Sequence, residues 1–536
     1  MGMRGQHAVA VALLAAALSA PQAPARAASP APLSTATEVA NVAHYEQLLA
    51  DHMQQGHAVE VDFDSPERVA GHVVGTGGWG DSGLWTGVYL GGEAMRYQVA
   101  KHAHDTAGQA AALARVREIL KAEHTDINIA QDWTGKLRIP PDVNTDEDPT
   151  TATHLANFGG GVIHGEKGMI QRACTPVGLG KLGVNDPTVY PDTPVNDNDN
   201  RVFRITWKHG DGKTYNCETS PSRDTYAGLI FGMLTAFDFV SVDDAAMRRQ
   251  IRTDLVAMGN FLWKYKWTYP RPHGYVSAEH DFNGFFSPLF IYTPAARLNM
   301  ANAVHHVVSH GGSEFDKAKW GAVWSEELAT QLPQLGGSLQ LDALQPHDSY
   351  YKWNLSHLIA FNLMRTNTGA LRHAMGRGIA AMDKTTRDDA NAHFEAIMFS
   401  ITGEQRRLDD ALTHLHQWLQ YRSNIEAGPV KNSPRCGHDI TCVPDDQYAL
   451  ATPAGTVAWF PGTAGKRALL ALPVAQRTPT DFLWQRSPTQ LDNAQPPTHR
   501  MPGIDFTTPY WMIRYFTEVA RPARAPLPVW PGPAAV

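Results

Sequence analysis

Five aspartates stand at or just inside the starts of segments that read as apolar helices. They are Asp81 in "GGWGDSGLW", Asp224 in "SPSRDTYAG", Asp281 in "EHDFNGFFSP", Asp348 in "QPHDSYYKW" and Asp505 in "PGIDFTTPYW". Trp79, Trp85, Tyr226, Phe282, Tyr350, Tyr351, Trp353, Tyr510 and Trp511 accompany them. Sugar rings stack on aromatic faces, and glycosidic cleavage takes two carboxyl groups across the bond, one a proton donor and the other a base or nucleophile. Asp81 and Asp224 are the first candidates for that pair, and Asp281 and Asp348 are alternates or binders of substrate hydroxyls. Arg223, His280, His347 and Tyr226 are candidate substrate contacts, with Trp79, Trp85, Tyr350, Trp353 and Trp484 as stacking platforms. A plainer role stands beside this one, because aspartate at a helix start accepts orphan N–H groups and suits the helix dipole. Asp224 is the least cap-like of the five, since Ser222 is available as the cap.

Other constellations point to other chemistries. A His-Asp dipeptide recurs at His280-Asp281 and His347-Asp348, with Tyr350, Arg223 and His357 available nearby. A lyase acting on a uronic-acid glycan needs such a base, a proton donor and a cation. The stretch "GTGGWG" satisfies G-x-G-x-x-G at Gly75, Gly77 and Gly80, but that fingerprint carries weight only inside a βαβ unit. The glycines are instead expected to bring Trp79 and Asp81 close to a ligand. In "DVNTDED", Asp142, Asn144, Asp146 and Asp148 alternate as in a calcium loop, although Glu147 stands where glycine belongs and Thr153 where the last glutamate belongs. Calcium is thus a weak candidate, and no cofactor is required.

These residues need elements to position them. Apolar positions at helical spacing mark about twelve helices, near 37–55, 83–104, 106–124, 223–241, 243–267, 287–310, 315–331, 350–366, 370–383, 391–402, 404–421 and 508–520. Helices apolar nearly all round alternate with amphipathic ones, and the first kind is buried while the second covers it. The expected fold is mainly α, an α/α toroid of about six hairpins whose inner helices all start at one end. Two excursions interrupt it, at about 130–220 and 425–500. The first holds "RVFRITWKHGDGKTYNCE", which reads as a β-hairpin.

The blocks "DSGLWTGVYLGGEAMRY", "SRDTYAGLIFG", "YYKWNLSHLIAFNLMR" and "DFLWQRSP" followed by "PGIDFTTPYWMIRY" carry a resemblance over most of residues 37–520. The chain resembles the six-hairpin glycosidase-like superfamily of glycoside hydrolases and polysaccharide lyases. That resemblance implies an (α/α)6 toroid and a carbohydrate-active enzyme, with no family residue matched one to one.

Residues 1–27 read as a secretory signal, with Arg4, an apolar run and a small-residue exit, followed by a tether at 28–36. One catalytic domain is expected at 37–520 and a proline-rich tail at 521–536. The mature protein is expected to be secreted or periplasmic, without a transmembrane segment. Its four cysteines permit three connectivities, with Cys174–Cys217 and Cys436–Cys442 the pairing the spacing favours. A formal charge of −7 without basic blocks gives no footprint for nucleic acid. The partner is an oligo- or polysaccharide, acted on by a hydrolase or, in the alternatives, by a lyase or by a non-catalytic glycan-binding protein.

Overall fold

The computed structural model describes residues 36–67, 69–132, 137–138, 162–163, 166–184, 204–218, 222–267, 293–342, 351–387, 389–423 and 498–520. Among them are twelve α-helices and four small antiparallel sheets. The helices are α1 (Ala36–His52), α2 (Trp79–His102), α3 (Thr106–Asn128), α4 (Arg223–Phe239), α5 (Ala245–Lys264) and α6 (Thr293–Ser309). They continue as α7 (Glu314–Asp342), α8 (Tyr351–Thr366), α9 (Gly369–Thr386), α10 (Ala392–Thr402), α11 (Gln405–Ser423) and α12 (Ile504–Arg514).

The tightest packing is between α2 and α4. A Cβ on Gly87 would lie 2.2 Å from the carbonyl carbon of Gly228, and one on Gly232 would lie 2.2 Å from the carbonyl oxygen of Gly87. The two helices therefore touch backbone to backbone, which only residues without a side chain permit. Contacts ascend together along both, from Gly83 with Thr225 to Gly91 with Phe231, so the helices are parallel. The same reading makes α6 parallel to α8, through Asn299–Asn362 and Asn302–Thr366. It makes α12 parallel to α2, through Thr508 bonded to the Val88 carbonyl and Arg96 over the Trp511 ring. Packed pairs among the even-numbered helices are α2–α4, α4–α6, α4–α8, α6–α8, α8–α10, α10–α12 and α12–α2.

Aromatic pairs join these helices: Phe231, midway along α4, meets Phe361 at 5.1 Å, and Phe239, at the α4 C-terminus, stacks on Tyr515 at 4.4 Å. Asp238 is held by Arg365 and by His306 at 2.9 Å. Burial alone would raise the Asp238 carboxyl, but Arg365 and His306 outweigh it and hold the group well below the usual range.

Two helix starts differ from the periodicity. Helix α2 begins at Trp79 rather than near 83, behind Gly78 in the left-handed conformation, and α12 begins at Ile504 rather than near 508, behind Gly503 in the same conformation. Both aspartates, Asp81 and Asp505, thus fall inside first turns. The hairpin in the first excursion is present as β8 (Arg204–Lys208) and β9 (Thr214–Glu218), with β7 (Ala173–Pro176) on the far side of β9. Cys174 and Cys217 face each other across that ladder and are disulfide-bonded. Strands β1 (Met53–Gln54), β2 (His57–Ala58), β3 (Glu60–Phe63) and β4 (Val73–Gly77) precede α2, where no strand is expected from the sequence. Short pairs β5 (Leu137–Arg138) with β6 (Val162–Ile163), and β10 (His499–Arg500) with β3, complete the sheets. Among the described residues no helix is long and apolar enough to cross a membrane. The signal segment, Cys436 and Cys442 lie outside the described residues.

The glycine seam yields a stability test. Gly87→Ala forces a methyl group into the Gly228 backbone and is expected to cost about 3 kcal/mol in urea unfolding, the upper end for overpacking. Gly321→Ala on α7 meets nothing within 4 Å and is expected to gain about 0.5–1 kcal/mol from helix propensity.

Candidate rim site at the α2 and α4 starts

Because α2 and α4 are parallel and in register, their first turns lie side by side. Asp81 is the third residue of α2 and Asp224 the second of α4, close to the Gly83–Thr225 contact. Both are half-buried. Neither is a cap residue: Gly78 caps α2 and Ser222 caps α4. Both sit in first turns, where the helix dipole favours negative charge. Asp505 is buried at 4% exposure, in the first turn of α12.

Two sheets flank these turns. On one side Val61 and Phe63 of β3 point into a small apolar cluster with Val59, Trp79, Ala173 and Val184. Alternation along the strand turns Glu60 and Asp62 to the opposite face. Across the ladder they stand against Gly77 and Gly75, so no side chain from β4 covers them. A Cβ on Gly77 would come within 3.2 Å of Glu60 Oε2, and one on Gly78 would meet the Trp85 ring at 2.5 Å and Glu60 Cδ at 3.0 Å. The glycines of "GTGG" therefore make room for the Glu60 carboxylate and the Trp85 ring. On β10, directly opposite Asp62, His499 bonds its Nδ1 to Asp62 Oδ1 at 2.9 Å.

On the other side, Arg172 donates from Nη1 to the Gly80 carbonyl at 2.7 Å, and its backbone N–H donates to the Glu218 carbonyl. A Cβ on Gly80 would lie 2.9 Å from Glu218 Oε1. The insert is thus no detached excursion. Its disulfide-tied strands hold a guanidinium and a carboxylate against the first turn of α2.

The dinucleotide alternative can be judged here. A strand, β4, does precede the glycine loop, but every strand pairing among the described residues is antiparallel. The loop faces the carboxylates of Glu60 and Glu218, the wrong charge for a pyrophosphate.

The aromatic expectation needs correction. Trp79, Trp85, Tyr226 and Trp353 are 3, 2, 1 and 1% exposed. Trp79 pins the helix start to both sheets and donates from Nε1 to Thr76 Oγ1 at 3.2 Å. Burial of rings this large is the dominant apolar contribution at such a junction, so they serve packing rather than an open stacking face. Trp511 lies farther along α12, donating to Glu46 at 2.7 Å. Arg223 is 3% exposed beside Asp224. His357 is also interior, with Nδ1 donating to the Trp353 carbonyl at 2.6 Å and its ring stacked on Phe394 at 3.9 Å. Burial pushes it down to about 3, which keeps it neutral. Asp281, Asp348, His280, His347, Phe282, Tyr350, Trp484 and the calcium-loop residues Asp142, Asn144, Asp146 and Asp148 lie outside the described residues. Among the described residues no three His, Cys, Asp or Glu side chains are grouped to hold a metal ion.

Sequence reasoning missed Glu60, Asp62, Glu218, Arg172 and His499. The signal for the first two is the alternation in Val59, Glu60, Val61, Asp62 and Phe63. His499 has no local signal, since it reaches Asp62 across 437 residues of chain.

Beneath the rim lies a second polar cluster. His57 bonds Asp126 at 2.7 Å, while Asp254 accepts from Asn128 at 3.0 Å and from His124 at 2.8 Å. Glu123 is 1% exposed, and neither carboxyl oxygen has a hydrogen-bond partner among the described residues. Burial, reinforced by Asp126 and Asp254, raises its carboxyl well above the ordinary value. Below that ordinary value both folded and unfolded chains carry the proton. As pH rises, the unfolded chain releases the proton while the folded one keeps it, so stability falls until the folded group also ionises. Glu123→Gln is therefore expected to match the wild type in denaturant midpoint at pH 4 and to exceed it at pH 8. Parallel midpoints at all pH values would show that Glu123 carries no such penalty.

Compared with protein-family models, with curated proteins and with solved structures, the chain matches none of them.

Proposed function

We propose that the even-numbered helices α2 to α12 form the inner ring of an α/α toroid and that the protein is a secreted glycoside hydrolase working at the rim where those helices begin. The ring reading is supported by the parallel directions of α2, α4 and α12 and by neighbours that run from α2 through α4, α6, α8, α10 and α12 back to α2.

The observation that carries the hydrolase reading is the placement of half-buried Asp81 and Asp224 on adjacent first turns, locked by a backbone seam and flanked by Glu60, Asp62 and Glu218. One carboxyl group protonates the leaving oxygen and the other activates water or attacks the anomeric carbon, which is the division of labour the reaction needs. No cofactor enters this chemistry. His357, buried and with Nδ1 bonded to the Trp353 carbonyl, gives no support to the elimination alternative.

Mature protein incubated with neutral and uronic-acid glycans in heavy-oxygen water is expected to give products carrying the heavy isotope at a new reducing end. Asp81→Asn and Asp224→Asn are expected to lower turnover at least about 100-fold, the usual worth of a general acid or base, with circular dichroism unchanged. An unsaturated product lighter by one water would establish a lyase, and affinity without cleavage a binding protein; either outcome removes the hydrolase reading.

A further inference from the structure

We propose that Arg248, Arg252 and His310 form a binding site for a phosphate or sulfate group where α4 and α6 end, at the opposite end of α4 from Asp224. These residues gather about Phe237, near the end of α4. The Arg248 guanidinium lies over its ring at 3.8 Å, and the rings of His306 and His310 meet it at 6.0 and 6.4 Å. Arg252 follows Arg248 by four residues on α5 and so shares its face. It reaches the turn just after His310: a Cβ on Gly311 would lie 2.9 Å from Arg252 Nη1, and Gly311 has a φ of 122°, which favours glycine. Helices α5 and α6 run antiparallel, since Gly259 meets Val304 where Arg252 meets Gly311. The start of α5 therefore stands beside the end of α6.

The acids on the surrounding elements are engaged elsewhere. Asp238 is held by Arg365 and His306, Asp243 by Lys101, and Asp244 by Arg117. Asp254 accepts from His124 and Asn128, Glu314 pairs with Lys317, and Asp316 accepts from Ser313. Two of the three basic groups have a plainer use. Arg248 Nη1 donates to the Phe237 carbonyl at 3.0 Å and His310 Nδ1 to the His306 carbonyl at 2.8 Å, so each covers an orphan carbonyl at a helix end. Arg252 has no such use, because it makes no hydrogen bond or ion pair among the described residues. Its position is also unfavourable, since like charges one helical turn apart repel and Arg248 already stands in the first turn of α5, where the dipole disfavours a cation.

An anion balances this excess. Arg248 and Arg252 are half-buried and His310 is exposed, so the group is open to a ligand from solvent. Two guanidinium groups and an imidazole, coming from two helices, call for an acceptor with several oxygens and more charge than one carboxylate carries. A phosphate or sulfate group offers three oxygens, and the planar fork of Arg252 grips two of them in parallel. The His310 Nε2, the nitrogen not spent on His306, donates to the third when the ring is protonated.

The test uses no glycan, so its result is independent of the hydrolase reading. The full mature chain is titrated calorimetrically with inorganic phosphate, sulfate, phenyl phosphate and acetate at about pH 6, near the ordinary histidine value. Saturable binding of phosphate or sulfate is expected, with acetate weaker, and binding of phenyl phosphate would show that an ester fits as well as the free ion. Arg252→Gln is expected to weaken the Kd at least about tenfold, the worth of one charge-assisted hydrogen bond. Arg252→Lys, which keeps the charge but loses the fork, is expected to fall between and covers the case in which the glutamine variant does not fold. Arg249→Gln, at the exposed neighbour on α5, removes the same charge from outside the site and is expected to leave the Kd within about twofold. No saturable binding of phosphate or sulfate at about 10 mM, enough to fill a site of millimolar Kd, would overturn the proposal, as would a Kd unchanged in both Arg252 variants.

Discussion

The contact on which the rest of this structure depends is between two main chains. Where Leu84 and Gly87 of α2 face Gly228 and Gly232 of α4, the helices approach until atoms of their peptide groups touch. Dispersion attraction is gained over the whole length of such a contact, because interiors are packed as densely as organic crystals and a gap of a fraction of an ångström forfeits much of it. The seam sets the axial register of the two helices, and register decides that Asp81 and Asp224 emerge at the same height. Everything placed around the two first turns takes its position from that alignment.

The two ends of the helices are treated differently. At the starts the peptide dipoles favour negative charge, which suits Asp81, Asp224 and Asp505 in the first turns of α2, α4 and α12. At the far ends the dipoles favour positive charge, and Arg365 and His306 occupy the last turns of α8 and α6. Asp238 near the end of α4 is paired there with Arg365 and hydrogen-bonded to His306. The C-terminal end of α4 is therefore neutralised, whereas the starts of α2 and α4 keep half-buried carboxyl groups.

How much of this was legible in the sequence follows from the range of the interactions. Helical periodicity is local, and the segments near 106–124, 223–241 and 391–402 correspond closely to α3, α4 and α10. Ser222 as the cap of α4 was legible for the same reason. The starts of α2 and α12 were set too late because a glycine in the left-handed conformation, rather than a polar cap, begins each. Strand β3 is only four residues long and takes partners from both ends of the chain, so its alternation is too brief to stand out. The direction in which Trp79 and Trp85 face depends on sheets that the local sequence does not specify. Glycine next to tryptophan is equally compatible with an exposed platform and with a ring that needs the space, and here it is the second.

The seam also has a mechanical consequence. Side chains at a helix interface can change rotamer and let helices slide or part in small steps, whereas two backbones in contact have no such intermediate positions. The backbone contact at Gly87 therefore fixes the relative height of the first turns that carry Asp81 and Asp224. The parts joined to this seam only by side chains and short ladders are the three-stranded sheet with His499 and the disulfide-tied strands that bring Arg172 and Glu218 to Gly80.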